Sequence, residues 1–305
     1  CMTIDELKTR QSWTLHQKID HTVGAVEAFV SALKGKVYVA FSGGIDSTIL
    51  LDICRRFVDP NMKAVFCNTG NEFPDIVYFT RQTENVITIR PELLVKQVIE
   101  KHGFPLVSKE QAYFIWQARN TKSEKLLDRL IHGKKGYTGR TLGKIYNKWQ
   151  FLINAPFSVS NKCCDYLKKQ PFAKYEKVTG ERPIIGTMAE ESRLRLQSFL
   201  RRESCNVLTG GKENSQPLLF WTSSDIWAYR DKFEVPYSPI YDLPGVNSTG
   251  CMICGFGADK NIDRFYTPFD LCPKAYEMFM GYENNGVTYR EALHYLGIDL
   301  PDDLL

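Results

Sequence analysis

The chain has 305 residues, a net charge of +4, 43% hydrophobic and 12% aromatic residues, and nine cysteines. That is enough for one large domain or two small ones with a sizeable core. No apolar run approaches the roughly 18 residues of a membrane helix, and the polar N-terminus predicts no signal peptide, with Met2 as the natural start. So many cysteines without a leader predict a reduced, cytoplasmic setting with metal or redox chemistry rather than disulfides.

Residues 12–34 repeat apolar side chains (Leu15, Ile19, Val23, Val26, Phe29, Val30, Leu33) at helical spacing. An apolar strand, 37–41, follows and ends in Ser42-Gly43-Gly44-Ile45-Asp46-Ser47-Thr48. A helix to about Phe57 starts at once. Such a turn leaves backbone N–H groups at a positive helix end. Glycines admit a close ligand, and Ser42, Ser47 and Thr48 add hydroxyls. The stretch predicts a phosphate cradle, neither a Walker A loop nor a dinucleotide turn. Strands at 63–67 and 86–89 alternate with helices from about Asp75 and, with Pro91 at its first position, over 91–102. This alternation predicts right-handed βαβ units and a parallel sheet, with ligands at the carboxyl ends of the strands. Both polar loops, 42–48 and 68–74, fall there.

Between Arg119 and Lys148, nine Lys and Arg face only Glu124 and Asp128, with Tyr137, Tyr146 and Trp149 interleaved and Gly133, Gly136 and Gly139 marking a loop. The segment reads first as a solvated helical hairpin and second as a surface for a polyanion or phosphorylated nucleotide. Cys163-Cys164 and Cys251-x-x-Cys254 supply four thiols. These suit either Zn²⁺ or a [4Fe–4S] cluster. Adjacent cysteines reach one small ion only with strain, which favours the cluster. Cys54 and Cys67 read as core; Cys205 and Cys272 read as structural.

Several stretches carry a family resemblance. Ser42–Ser47 resembles the pyrophosphate loop of the adenine nucleotide alpha-hydrolase superfamily, and Thr69-Gly70-x-Glu72-Phe73-Pro74 resembles the second-strand loop of PAPS reductase relatives. Asn68 stands where that family usually has Asp. Cys163-Cys164-x-x-x-Lys168-x-x-Pro171 with Cys251 and Cys254 resembles the cluster ligands of its iron–sulfur type, as in assimilatory APS reductases and the DNA phosphorothioation protein. Residues 183–195 and Pro217–Trp227 are similar to further family segments. Met188 replaces a frequent Arg, and Arg193 and Arg195 are candidate substitutes. The resemblance runs from about Val37 to Gly257.

It implies an α/β, Rossmann-like (HUP-type) twisted parallel sheet with helices on both faces, an inserted helical segment and a C-terminal helical region. The implied organisation is an N-terminal helix over 1–35, a nucleotide-binding domain over 36–260 with the basic insertion 111–150, and helices over 261–305. Asp46 and Ser47 are the catalytic candidates. Ser42, Gly43, Gly44, Asp46, Ser47, Thr48, Thr69, Gly70, Arg193 and Arg195 are the nucleotide-binding candidates. Cys163, Cys164, Cys251 and Cys254 are the metal ligands of a [4Fe–4S] cluster, with Zn²⁺ as alternative. The family's reductases use a cysteine near the C-terminus, and none follows Cys272 here. The preferred expectation is therefore an ATP pyrophosphatase, using ATP or a related adenine nucleotide with Mg²⁺, that adenylates an acceptor for sulfur transfer. The alternatives are a sulfonucleotide reductase using Cys272 or a partner's thiol, and a nucleotide or redox sensor without turnover. A nucleic-acid or small-molecule acceptor, a sulfur-donor protein and an oligomer are open; no membrane is expected.

Overall fold

The computed structural model describes residues 3–135, 141–202, 204–244, 246 and 249–304. Cys1, Met2 and, in the basic segment, Gly136, Tyr137, Gly139 and Arg140 lie outside them. In chain order the elements are α1 (Ile4–Gln11), α2 (Leu15–Ala32), β1 (Val37–Ala40), α3 (Ile45–Phe57), β2 (Ala64–Cys67), α4 (Pro74–Gln82), β3 (Val86–Ile89) and α5 (Val95–His102). Then come β4 (Leu106–Val107), α6 (Lys109–Asn120), α7 (Glu124–His132), β5 (Lys134–Lys135), β6 (Thr141–Leu142), α8 (Lys162–Cys164), α9 (Gln170–Thr179), β7 (Arg182–Ile185) and α10 (Arg193–Arg201). The last are β8 (Asn206–Val207), β9 (Asn214–Ser215), α11 (Ser223–Phe233), β10 (Gly255–Phe256), α12 (Tyr266–Leu271), α13 (Pro273–Met280), β11 (Glu283–Asn284), β12 (Val287–Thr288) and α14 (Tyr289–Tyr295).

The chain divides into two compact units, each discontinuous in sequence. Unit 1 comprises Cys1–Asn68, Pro74–Ile89 and Phe172–Thr249; unit 2 comprises Thr69–Phe73, Arg90–Pro171 and Gly250–Leu305. The span 36–260, expected as one domain, is thus shared between them.

Unit 1 holds a six-stranded sheet in the order β3-β2-β1-β7-β9-β8, parallel except for β8 against β9. The central strands β1 and β2 are short, apolar and almost wholly buried, as strands covered on both faces require. Alternation along β1 shows the two covers. Val37 and Val39 join the core formed with α2 and α3, whereas Tyr38 turns the other way and packs on Phe172 and Tyr175 of α9, at ring-centroid distances of 6.1 and 5.2 Å. β1 lies between β2 and β7, where strand order reverses, so the loop after β1 opens at a topological switch point.

Unit 2 is mainly helical, with a short parallel pair β4–β10 and two small hairpins. The helix beginning at Lys162 contains a π-type turn, Asp165–Lys169, just before Pro171, which cannot donate to the ladder.

Three sequence expectations change. The stretch 1–35, expected as one N-terminal helix, holds two, because Thr14 and Gln17 close a capping box that starts α2 afresh; α2 itself matches the helical spacing read over 12–34. Pro91 does not open a helix; α5 begins at Val95, and the Gln97 side chain accepts the Leu94 N–H at 2.8 Å. The C-terminal region is not helices alone: Asn285 and Gly286 both take positive φ (53° and 76°) and turn β11 into β12. Among the described residues, no helix is long and apolar enough to cross a membrane.

Unit 1 also contains a buried ion pair. Lys18, 1% exposed, donates to Asp225 Oδ2 at 2.5 Å and to the Gln11 carbonyl at 2.8 Å, fastening α1 and α2 to α11. Lys18→Met should destabilise the chain by about 3 kcal/mol, because the Asp225 charge loses its partner. Asp225→Asn added to it should recover part of the loss. Urea unfolding of the two variants measures both.

Candidate nucleotide and cysteine sites

The phosphate loop of unit 1 is shaped by its neighbours. Gly43 has φ +73°, and a Cβ there would stand 2.8 Å from Thr80 Cγ2 and 2.9 Å from Ile76 Cγ2 of α4. Gly44 is the N-cap of α3, and a Cβ on it would press on the Tyr241, Ser42 and Thr249 hydroxyls at 3.2–3.3 Å. No other residue type fits Gly43 without displacing α4. Within the loop, the hydroxyls already turn toward the main chain. Ser47 Oγ donates to the Gly44 carbonyl at 2.9 Å and accepts the Ser42 N–H at 3.2 Å. Thr48 Oγ1 donates to the same carbonyl at 3.0 Å, and Ser42 Oγ accepts the Gly44 N–H at 3.3 Å.

At the head of α3, the Ile45 N–H donates to the Tyr241 hydroxyl at 2.9 Å; that hydroxyl also lies 2.9 Å from Thr249 Oγ1. Tyr241 therefore occupies a helix N-terminal N–H, a group of the kind that binds phosphate oxygen. Tyr241 also serves in packing. Its aromatic contacts with Trp227 and Tyr237 support that role as well.

Asp46 sits in the first turn of α3, where the helix dipole alone would favour its anion. Burial wins: it raises the carboxyl to about 6, with Glu191 and Glu190 adding to the rise and Arg195 opposing it. On the other side, Gly186, the residue after β7, lets that strand end approach α3; a Cβ there would be 3.3 Å from the Asp46 carbonyl oxygen.

The other nucleotide-binding candidates each have a setting of their own. Arg195 is ion-paired with Glu191, one turn away on its own segment. The Arg193 side chain is outside the described residues. Met188, in the position of a frequent family Arg, is buried in the core of unit 1. Thr69 and Gly70 belong to unit 2. There, Thr69 donates to Glu72 through its N–H (2.9 Å) and its hydroxyl (2.7 Å).

Unit 2 brings all four predicted cysteines into one cavity, with Asn71, Lys168 and Tyr289 among its polar lining and Val95, Ile99 and Leu167 among its apolar walls. The sulfurs arrive from two directions. Cys163 and Cys164 lie on α8. The Cys251–Cys254 turn is held by the buried Asn71, whose carbonyl accepts the Met252 N–H at 2.7 Å, and by the Tyr289 hydroxyl, which donates to the Ile253 carbonyl at 3.1 Å. Gly255 is obligatory here, since a Cβ would be 2.6 Å from the Pro105 carbonyl oxygen.

The electrostatics divide the thiols. The Cys164 thiol is pulled below the ordinary thiol range, chiefly by the hydrogen bond from Cys163, with Lys109 and Lys168 assisting. Cys163 rises because it supplies that bond. Burial raises Cys251, and pushes Cys254 up to about 11. The Lys168 ammonium is stabilised first by Cys251 and then by Glu72. In the sequence, Glu72 stands out only as part of the second-strand loop motif, and Asn71 and Lys109 are not singled out; the polar run after β2 is the signal for Asn71.

Cys54, Cys67 and Cys205 are buried and Cys272 is half-buried. Among the described residues, no three His, Cys, Asp or Glu side chains are arranged to hold a single metal ion.

Residues 36–255 match the family described as Phosphoadenosine phosphosulfate reductase domain. The chain is similar to the adenosine 5'-phosphosulfate reductase of Bacillus cereus strain Q1, 27% identical over 256 residues, covering 81% of this chain and 87% of the relative. It is similar also to that of strain B4264, 28% identical over 258 residues with the same coverages. Among solved structures it is similar to a phosphoadenylyl-sulfate (PAPS) reductase from Candida auris in a phosphate complex, at 15% identity and a TM-score of 0.42, covering 82% of this chain and 96% of that one.

The raised Asp46 carboxyl has a consequence for stability. The folded state holds the acid near 6 against an ordinary 3.8, so ionisation opposes folding. The opposition is absent below about pH 4, grows between about pH 4 and 6, and is complete above. In metal-free buffer, Asp46→Asn should therefore be more stable than the parent at pH 7.5, by on the order of 2 kcal/mol. It should lose that advantage by about pH 4, as thermal melts across pH will measure.

Proposed function

The chain belongs to the phosphoadenosine phosphosulfate reductase family, and on that footing we propose that unit 1 binds MgATP and uses it as an adenylating ATP pyrophosphatase serving sulfur transfer. One observation carries the reading. Asp46 sits half-buried in the first turn of α3, beside the glycine loop, and desolvation raises its carboxyl to about 6. A carboxylate and a polyphosphate side by side repel unless a cation lies between them. Mg²⁺, which binds through one or two carboxylates plus substrate phosphates, fits that arrangement.

In the proposed reaction, an acceptor oxygen attacks the α-phosphorus of ATP, and the bond from that phosphorus to the bridging oxygen breaks. Pyrophosphate leaves with the electron pair, and the acceptor keeps AMP. A sulfur nucleophile then displaces AMP. Gly43 and Gly44 let the main chain approach the β- and γ-phosphates. The Ser42, Ser47 and Thr48 hydroxyls exchange their main-chain contacts for phosphate oxygens. Their donors and the N–H groups at the head of α3 stabilise charge developing on pyrophosphate. Asp46 orients the phosphates through Mg²⁺, and Tyr241 yields the Ile45 N–H as the nucleotide enters.

For unit 2 the proposal is a [4Fe–4S] cluster on Cys163, Cys164, Cys251 and Cys254. Four sulfurs around one cavity, two of them from adjacent residues, fit a cluster with separate iron corners better than one small Zn²⁺ ion. Lys168 and Lys109 offset thiolate charge, and the apolar walls limit water. When bound, such a cluster would supply redox or sulfur chemistry.

A second reading has its own support, since the curated relatives named above are adenosine 5'-phosphosulfate reductases. In it, the unit 1 loop takes adenosine 5'-phosphosulfate, and Cys272 or a partner's thiol attacks the sulfate sulfur. Anaerobic assays separate the two. The first expects AMP and pyrophosphate from ATP with Mg²⁺ and an acceptor. The second expects sulfite from adenosine 5'-phosphosulfate with a thiol reductant, abolished by Cys272→Ser if that cysteine is the nucleophile. Under either, Gly43→Ala should cut turnover by about 100-fold, because its Cβ displaces α4 from the loop. Nucleotide binding without products from either substrate would favour a sensor and overturn both.

The cluster proposal has its own readout. Anaerobically prepared protein should carry about four iron and four sulfide per chain. Serine at any one of the four ligands should lower both, whereas Cys272→Ser should leave them unchanged. Iron-free protein with zinc retained on the same cysteines would contradict the cluster.

A further inference from the structure

We propose that the outer face of α7 and the segment after β6, in unit 2, form a docking surface for a single-stranded nucleic acid. The charge distribution is the first ground. From Arg119 to Lys148 the chain carries nine cations and two acids. This stretch is net +7 while the whole chain is only +4, so the remainder is net −3. The structure then shows which of these charges are available. Arg119 is not: its guanidinium donates to the Leu152 and Ala155 carbonyls at 3.1 and 3.0 Å. Lys148 is paired with Asp259 at 3.0 Å. Lys122, Lys125, Arg129 and Lys134 are exposed. Among the described residues, none of the four has an ion-pair partner.

Their placement makes a surface. Lys125 and Arg129 are four apart on α7 and share a helical face, while Leu130 is buried on the opposite one. The Ile145 N–H donates to the Leu130 carbonyl at 2.7 Å, and the Gln150 side-chain amide donates to the Ile131 carbonyl at 3.0 Å. These bonds bring Lys144 and Tyr146 beside the C-terminal end of α7, next to Arg129 and Lys134. Among the described residues, the Lys144 ammonium has the neutral Asn147 amide as its partner, which does not cancel its charge. Tyr146 is 53% exposed.

Spaced cations with an exposed aromatic ring match the repeating phosphates and stackable bases of a single strand. An acidic peptide would use the cations but has no base to lay on Tyr146. A lone phosphate would need a cradle of converging N–H groups, and these side chains are spread along a helix instead. The inference does not depend on the nucleotide reading, because it can be tested with no ATP present.

The test is fluorescence anisotropy of the full chain with labelled single-stranded RNA and DNA of about 20 nucleotides and mixed sequence. At about 50 mM salt the chain should bind at least one of them. The logarithm of affinity should fall with the logarithm of salt at a slope of about −2 to −3, the value for three or four phosphates at about −0.7 each. Lys125→Glu, Arg129→Glu and Lys134→Glu together should weaken binding at least ten-fold, with the melting temperature unchanged. Tyr146→Ala should weaken single-strand binding more than duplex binding. Lys34→Glu with Lys36→Glu, exposed cations of unit 1, should change neither. Failure to bind either oligonucleotide, a flat salt response, an unaffected triple variant, or displacement by polyglutamate as effective as by unlabelled oligonucleotide would overturn the proposal.

Discussion

The chain has to turn from the end of β1 into the head of α3 in four residues, beneath a helix that leaves no room for a side chain. Gly43 meets that constraint with a left-handed backbone and no Cβ against Ile76 and Thr80. Much of unit 1 depends on this turn. It lets α3 start directly above the switch point of the sheet. It sets the Ser42, Ser47 and Thr48 hydroxyls around the Gly44 carbonyl and N–H. It also carries Asp46 into a setting where burial outweighs the helix dipole. An acid held near 6 at a helix N-terminus is unfavourable in the empty protein. A fold that retains such a group is strained in its electrostatics where a ligand with a cation would relieve it.

Unit 2 meets a different constraint. Four sulfurs from positions nearly ninety residues apart surround one cavity because a five-residue loop, 69–73, ties the later pair down through Asn71. The same loop brings Glu72 toward Lys168, so that the cation facing Cys251 has an anion behind it. The loop that resembles part of a nucleotide site also supports the cysteine cavity. Cys163 and Cys164 differ: the hydrogen bond between them raises the Cys163 thiol and lowers that of Cys164. That asymmetry follows from adjacency on one helical turn.

Much of this is legible in the residues, for identifiable reasons. An apolar run ending in Ser-Gly-Gly has few conformations open to it, so strand, turn and helix were readable to within a residue. Short βαβ spacing leaves the parallel sheet little alternative. The cysteine pairs were recognisable as a set, although their convergence depends on a loop that bears no cysteine. Tertiary contacts account for what was missed. Pro91 satisfies the rule for a helix start, yet the Gln97 side chain caps Leu94 instead. Tyr241 reads as one aromatic among several until the backbone brings the Ile45 N–H to its hydroxyl. Asn285-Gly286 was a hairpin signal in plain view, passed over beside the helical periodicity around it.

The claim that unit 1 is built for a metal-bound polyphosphate is tested most directly by calorimetric titration of the apo chain with ATP at pH 7.5, in the presence and absence of Mg²⁺. The account predicts binding that strengthens at least ten-fold with Mg²⁺, and an Asp46→Asn variant in which that dependence disappears. Equal ATP affinity with and without Mg²⁺, or no ATP binding in either case, would contradict it.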